Sequence, residues 1–239
     1  MSDLKTHGRK KKRKKRRKKQ MKWWSLGVLG STVAVRTVII GDSMFWSGLP
    51  FLGGSPSPLS KWLETWAGHS IENHALVGAS LEEGWVKSIQ KQYEDLNKVP
   101  TITTLIMDGG GNDVMSHRQD CELWNSACQQ VVDHSISIAS SILEKAHEDG
   151  ILQVLYLGFY YIKGLEKAAD DADRKMREMC ERAMVPCYFV DPRYNATSGQ
   201  GLPTPEMLGS DGIHPKPEGY KILAQMIWDE AMKHSILLR

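Results

Sequence analysis

The sequence predicts an α/β protein, a three-layer α/β/α sandwich in which a five-stranded parallel sheet lies between two layers of helices. Apolar runs of strand length alternate with longer amphipathic stretches, the pattern of parallel strands joined by helical crossovers. Glycines and prolines punctuate the chain between those stretches. With 239 residues, 41% of them hydrophobic and 25% charged, the composition supports one packed core; it excludes a wholly disordered, collagen-like or polytopic membrane protein.

The first strand is placed at Val35–Ile40. Gly53, Gly54, Pro56 and Pro58 then interrupt the chain ahead of a helix at Leu59–Ala67. A second strand at Ser70–Val77 leads to a helix over Leu81–Leu96, and a third at Thr103–Met107 to a helix over Ala127–His147. The fourth strand, Gln153–Leu157, leads to a helix over Gly164–Arg182, which Pro186 prevents from continuing. The fifth strand is Cys187–Val190. Asn195–Ser210, rich in Gly, Pro, Ser and Thr, reads as a loop before the last helix, Pro217–His234, whose proline suits a first turn.

Charge divides the chain more sharply than its net value of +3 suggests. Residues 1–22 hold 13 of the 31 basic residues, eleven of them consecutive from Arg9 to Lys19, and a single acid, Asp3. The remainder has 18 bases and 27 acids, a net of −9. Like charges repel and resist burial, so residues 1–22 are predicted to form a disordered basic arm outside the folded region, 35–239. Such an arm suits an anionic polymer or a membrane surface, with attraction that weakens in salt. It contains no Trp, Tyr or Phe to stack on bases, so no specific nucleic-acid recognition is expected. An appended cationic segment, or a start at Met21, are the plainer readings.

The short apolar segment 23–34 lacks charge and, even extended to Val35, is too short for a membrane span of about 20 residues. A charged start, an apolar stretch and small residues near Ala34 sketch a signal-peptide remnant, and with it a secreted or periplasmic protein. Against export, the first strand begins at Val35 or Arg36 and leaves almost no mature N-terminus.

Cys121 with Cys128, and Cys180 with Cys187, form two pairs whose spacing fits neither a zinc site nor a Cys-x-x-Cys redox motif. Two disulfides, suiting an oxidising compartment, and four buried or reduced thiols are both open readings. Asn195-Ala196-Thr197 is formally a glycosylation acceptor, a pattern short enough to arise by accident.

Open parallel sheets carry their working groups on loops at the carboxyl ends of strands. Those loops hold Gly41-Asp42-Ser43, Gly78, Gly109-Gly110-Gly111-Asn112-Asp113 and, before the last helix, Asp211-Gly212-Ile213-His214. Ester cleavage requires a hydroxyl nucleophile, a base, a group to orient the base and donors for the oxyanion. Ser43 at a glycine-led turn can be the nucleophile, His214 the base, and Asp211, three residues earlier, can fix its tautomer. The backbone N–H groups of Ser43 and Gly78 and the amide of Asn112 suit an oxyanion hole. Asp42 and Asp113 read as braces for the surrounding turns. No metal or cofactor is called for.

These blocks, in this order, resemble those of the SGNH, or GDSL, hydrolase superfamily over roughly Val35 to the C-terminus. The resemblance implies a flavodoxin-like SGNH-hydrolase fold with strand order 2-1-3-4-5 and a serine esterase acting on small or medium acyl esters. It places the triad on Ser43, His214 and Asp211, and the oxyanion hole on Ser43, Gly78 and Asn112. Met44 stands where many members have Leu, which bears on pocket shape. Within the superfamily a carbohydrate O-deacetylase, a lysophospholipase and a thioesterase are the alternatives, with small-molecule or polymeric ester substrates. Outside it the rival is a protein that binds an anionic surface or nucleic acid through the basic arm. Trp46, Phe51, Trp62, Trp66 and Trp85 fall near the expected pocket side, although helix aromatics more often pack in a core. Tyr156, Phe159, Tyr160 and Tyr161 cluster after the fourth strand, and one of them is a candidate to line the cleft.

Overall fold

The structure, a computed structural model, describes residues 35–46, 58–82, 84–193 and 204–239. The basic run Arg9–Lys19, the apolar segment 23–34, Phe51 and most of the Trp46–Ser57 segment lie outside the described residues, as do Asn195–Thr197 and most of the Asn195–Ser210 loop.

Five parallel strands form one sheet: β1 (Thr37–Ile40), β2 (Glu72–Asn73), β3 (Thr104–Met107), β4 (Gln153–Leu157) and β5 (Cys187–Val190). Their spatial order is β2-β1-β3-β4-β5, the order that the resemblance implies. The helices are α1 (Pro58–Ala67), α2 (Ile89–Glu94), α3 (Gly111–Ser116), α4 (Arg118–Leu123), α5 (Ser126–Glu148), α6 (Glu166–Arg182) and α7 (Pro217–Lys233).

Successive strand side chains point to opposite faces, and both faces of this sheet are covered. Val38, Ile40, Leu105, Met107, Val154 and Tyr156 pack with residues of α2, α5 and α6, among them Ile89, Ile142 and Met176. Ile39, Ile106, Leu155 and Leu157 face the other way, against Leu59 and Leu63 of α1 and Leu223 and Ile227 of α7. That two-sided burial explains why β1 and β3 read as unbroken apolar runs rather than alternating ones; every residue of both is buried.

β4 and β5 fall where the sequence places them. The edge strand does not: it spans only Glu72–Asn73, although His74 N–H to Ile39 O (2.8 Å) and Leu76 N–H to Gly41 O (3.0 Å) carry the chain on beside β1. The helix expected over Leu81–Leu96 shrinks to Ile89–Glu94. Ser88 starts it by accepting Lys91 N–H at 3.2 Å, while Asp113 draws Leu81 N–H (3.0 Å) into the preceding loop. The short helices α3 and α4 escape sequence reading because each spans six residues, too few to show a period. Asn125 caps α5, accepting from Ala127 and Cys128 N–H.

The cysteine alternatives resolve into two disulfides, Cys121–Cys128 and Cys180–Cys187. The first joins α4 to α5 and the second ties the end of α6 to β5.

Candidate active site

The carboxyl ends of β1 and β3 lie side by side, Ile40 opposite Met107, so the turns that follow them share one rim of the sheet. Gly41 must be glycine here: its φ is +149°, and a Cβ at that position would overlap the Asp108 carboxyl. Gln92 of α2 clasps Gly41 from both sides, accepting its N–H at 2.9 Å and donating to its carbonyl at 3.0 Å. Asp42 is buried, and its Oδ1 accepts Met44 N–H at 2.9 Å, closing the turn around Ser43.

Residues 209–216 bring in the histidine. Gly209 N–H bonds His214 O, and Lys216 N–H bonds Met207 O, each at 2.7 Å, so the loop folds on itself. Asp211 Oδ1 accepts the N–H groups of Ile213 and His214, both at 3.0 Å. Its Oδ2 lies 2.7 Å from His214 Nδ1, and His214 Nε2 lies 2.9 Å from Ser43 Oγ. Ser43 is thus joined, across 171 residues of sequence, to the neighbouring His214 and Asp211 in one continuous hydrogen-bonded line. Partial burial raises the Asp211 pKa, but the imidazole and the two N–H donors outweigh it and hold the carboxyl below its usual range. Tyr160, from the loop after β4, steadies the segment by donating to Ile213 O.

The candidate oxyanion donors are placed less uniformly. Ser43 N–H meets no acceptor among the described residues. Asn112 lies in the cavity wall, but its amide hydrogens are engaged, one with Ala79 O at 3.0 Å and one with Asp42 Oδ2 at 3.3 Å. Gly78 takes a left-handed φ of +75° on an exposed turn and is not among the cavity-lining residues, although its neighbour Ala79 is the residue that Asn112 grips.

The cavity beside Ser43 has a volume of about 160 Å³. It is lined by the polar Asp42, Asp108 and Asn112 and by apolar residues, Met115, Phe159, Ile162 and Leu165 among them. Phe159 and Tyr160 both line it; Tyr156 lies buried beneath with its hydroxyl to Gly109 O, and Tyr161 turns outward to Asp170. Trp62 and Trp66 pack with Trp228 away from the cavity, Trp46 borders a different depression, and Trp85 stands in solvent.

Sequence reasoning missed Asp108 and Gln92. Asp108 carried a signal, an acid directly after the wholly apolar Leu105-Ile106-Met107, at the carboxyl end of a strand. Gln92 carried none, since a glutamine on an amphipathic helix reads as solvent-facing. Asp113 braces the loop by accepting Leu81 N–H, and burial raises its pKa. Among the described residues no His, Cys, Asp and Glu cluster could hold a metal ion.

A model of the GDSL-like lipase/acylhydrolase family matches residues 39–222. The fold is that of solved esterases. An acetylxylan esterase from Geobacillus stearothermophilus, Axe2, aligns with TM-score 0.60 and 17% identity over 82% of this chain and 94% of its own. The psychrotrophic esterase EstA from Pseudoalteromonas sp. aligns with TM-score 0.57 and 11% identity over 84% and 98%. TesA aligns with TM-score 0.57 and 15% identity over 83% and 99%. No curated protein matches the sequence.

Proposed function

The chain belongs to the GDSL-like lipase/acylhydrolase family, and from that premise we propose that it is a serine esterase cleaving carboxylic esters of small or medium acyl groups. The observation that carries this reading is the line from Asp211 through His214 to Ser43, with contacts of 2.7 and 2.9 Å. His214 Nε2 takes the Ser43 proton as Oγ attacks the acyl carbonyl, and the carbonyl electrons move to oxygen. The resulting imidazolium returns that proton to the alcohol oxygen as its bond to carbon breaks, leaving an acyl-Ser43. Water, deprotonated by His214, then attacks the acyl carbon; the acid leaves and Ser43 regains its proton. Asp211 holds the ring so that Nε2 is the free acceptor.

Ser43 N–H and one hydrogen of Asn112 are the oxyanion donors in this reading; Gly78 N–H, on an exposed turn outside the cavity lining, joins them as the third if that turn moves toward Ser43. For Asn112 the longer of its two bonds, 3.3 Å to Asp42, is the one to redirect toward the oxyanion. The acyl group occupies the apolar end of the cavity. A cavity of about 150 Å³ in another protein accommodates benzene, so about 160 Å³ suits an acyl chain of roughly six carbons or an aromatic acyl group. In the same reading the basic run Arg9–Lys19 attaches the enzyme to an anionic polymer or membrane surface.

A p-nitrophenyl ester series from acetate to palmitate tests both parts. Rates should rise to about six carbons and then fall, and Ser43→Ala should abolish turnover at every length. A Ser43→Ala enzyme at the parent rate removes Ser43 from the role, and rates that keep rising to palmitate reject the size argument.

A further inference from the structure

Two buried carboxyls, Asp42 and Asp108, meet beneath Ser43; they are 6% and 5% exposed. Asp108 Oδ1 accepts Asp42 N–H at 2.9 Å, and the carboxyl packs against the Cα of Gly41. Asp42 is well supplied with donors, since Oδ1 takes Met44 N–H and Oδ2 takes the Asn112 amide. Asp108, which also lines the cavity, is not: its Oδ2 is buried and no donor among the described residues reaches it.

We propose that Asp108 is a positioning residue held as a neutral carboxylic acid beneath Asp42, so that the pair carries one negative charge and Asp42 can direct the Ser43 turn and the Asn112 amide. A buried carboxylate with one oxygen lacking a donor is costly, and two carboxylates in one pocket cannot both ionise freely. Asp42 has the donors, so it keeps the charge. As an acid, Asp108 still accepts Asp42 N–H through Oδ1, and the two side chains that touch share a single charge. The catalytic sense is electrostatic: a second negative charge at this depth would oppose the oxyanion forming above it.

The surroundings agree. Close enough to act on the pair are Asp113 on α3, Tyr156 on β4, Tyr160 after it, Tyr220 on α7 and His214 in the histidine loop, with Asp211 bonded behind His214. Only His214 among them can be cationic. Burial first, then the Asp42 charge, push the Asp108 pKa well above the usual carboxylate range.

The catalytic half of this proposal rests on the esterase reading, and the protonation half does not. Infrared difference spectra of the whole protein at neutral pH, parent minus Asp108→Asn, should contain the carbonyl stretch of a protonated carboxyl. Its absence would overturn the proposal whether or not Ser43 is the nucleophile. In the native state Asp108 binds a proton over a pH range where the unfolded chain, with an ordinary pKa of about 3.9, has released it. The native state therefore loses ground as pH rises above about 4 toward the raised native pKa. Urea unfolding midpoints should favour Asp108→Asn increasingly across that window; a constant difference would count against the neutral acid. In turnover, Asp108→Ala should lower kcat by about 10- to 10²-fold with KM little changed, less than the loss of an oxyanion donor. Asp108→Asn, which copies the acid's acceptor and donor, should restore most of it. An Asp108→Ala enzyme at parental kcat, or an Asn variant no better than Ala, rejects the positioning role.

Discussion

The two nitrogens of His214 meet different partners in the structure. Nδ1 meets the Asp211 carboxylate at 2.7 Å, which leaves Nε2 for Ser43 at 2.9 Å. At Asn112 the assignment is subtler, because a side chain proposed to serve the oxyanion is already bonded to Ala79 and Asp42. Those bonds aim the amide at the cost of a competing acceptor. Removing one oxyanion donor costs about 10² to 10³ in turnover. Asn112→Ala is accordingly expected to lower kcat by that factor and, because Ala79 O and Asp42 Oδ2 lose their donor, to cost about 1–3 kcal/mol of stability without unfolding the protein. Steady-state kinetics beside a melting curve checks it; an unchanged kcat would take Asn112 out of the oxyanion hole.

At the scale of elements, α2 contributes more than packing. Gln92 is 2% exposed and holds both polar groups of the Gly41 peptide, so this helix determines where the Ser43 turn begins. Gln92→Leu would leave Gly41 N–H without its partner, whereas Gly41 O keeps Leu76 N–H. One orphaned buried donor costs about 1–3 kcal/mol, so urea unfolding should show a loss of that size. The displaced turn should lower kcat more than it raises KM. A stable, fully active Gln92→Leu enzyme would show that strand pairing alone positions the turn. The cavity is likewise a joint product, with Val114 and Met115 from α3, Leu157 from β4 and Ala169 from α6.

Over the whole molecule, the acidic 23–239 and the basic 1–22 pull in opposite electrostatic directions. The hydrogen-bonded line from Asp211 through His214 to Ser43 lies wholly within residues 35–239. Deleting residues 1–20 should leave turnover on soluble p-nitrophenyl esters intact and weaken sedimentation with anionic vesicles, most visibly at low ionic strength. A truncated enzyme that sediments as well as the parent would remove the attachment role from this segment. Within residues 35–239, β1 and β3, which carry the rim, are buried along their whole length. Ile39 and Ile106 face one helix layer, and Val38 and Leu105 the other.

Sequence alone was enough for the fold class, the parallel strands of the sheet, and the side chains of Ser43, His214 and Asp211 as candidates. Strand runs, turn glycines and an Asp three residues before a His are short-range patterns, readable without knowing what lies across the fold. Tertiary structure decided the rest. It shortened the edge strand and α2, joined the cysteines, bonded Asn112 to Asp42 and left Gly78 outside the cavity wall. It also revealed Gln92 and Asp108, whose significance comes from partners 51 and 66 residues away. The physical reason is burial. A carboxyl or an amide has one chemistry in water and another where its only neighbours are protein groups, and which neighbours those are is settled when the strands pair.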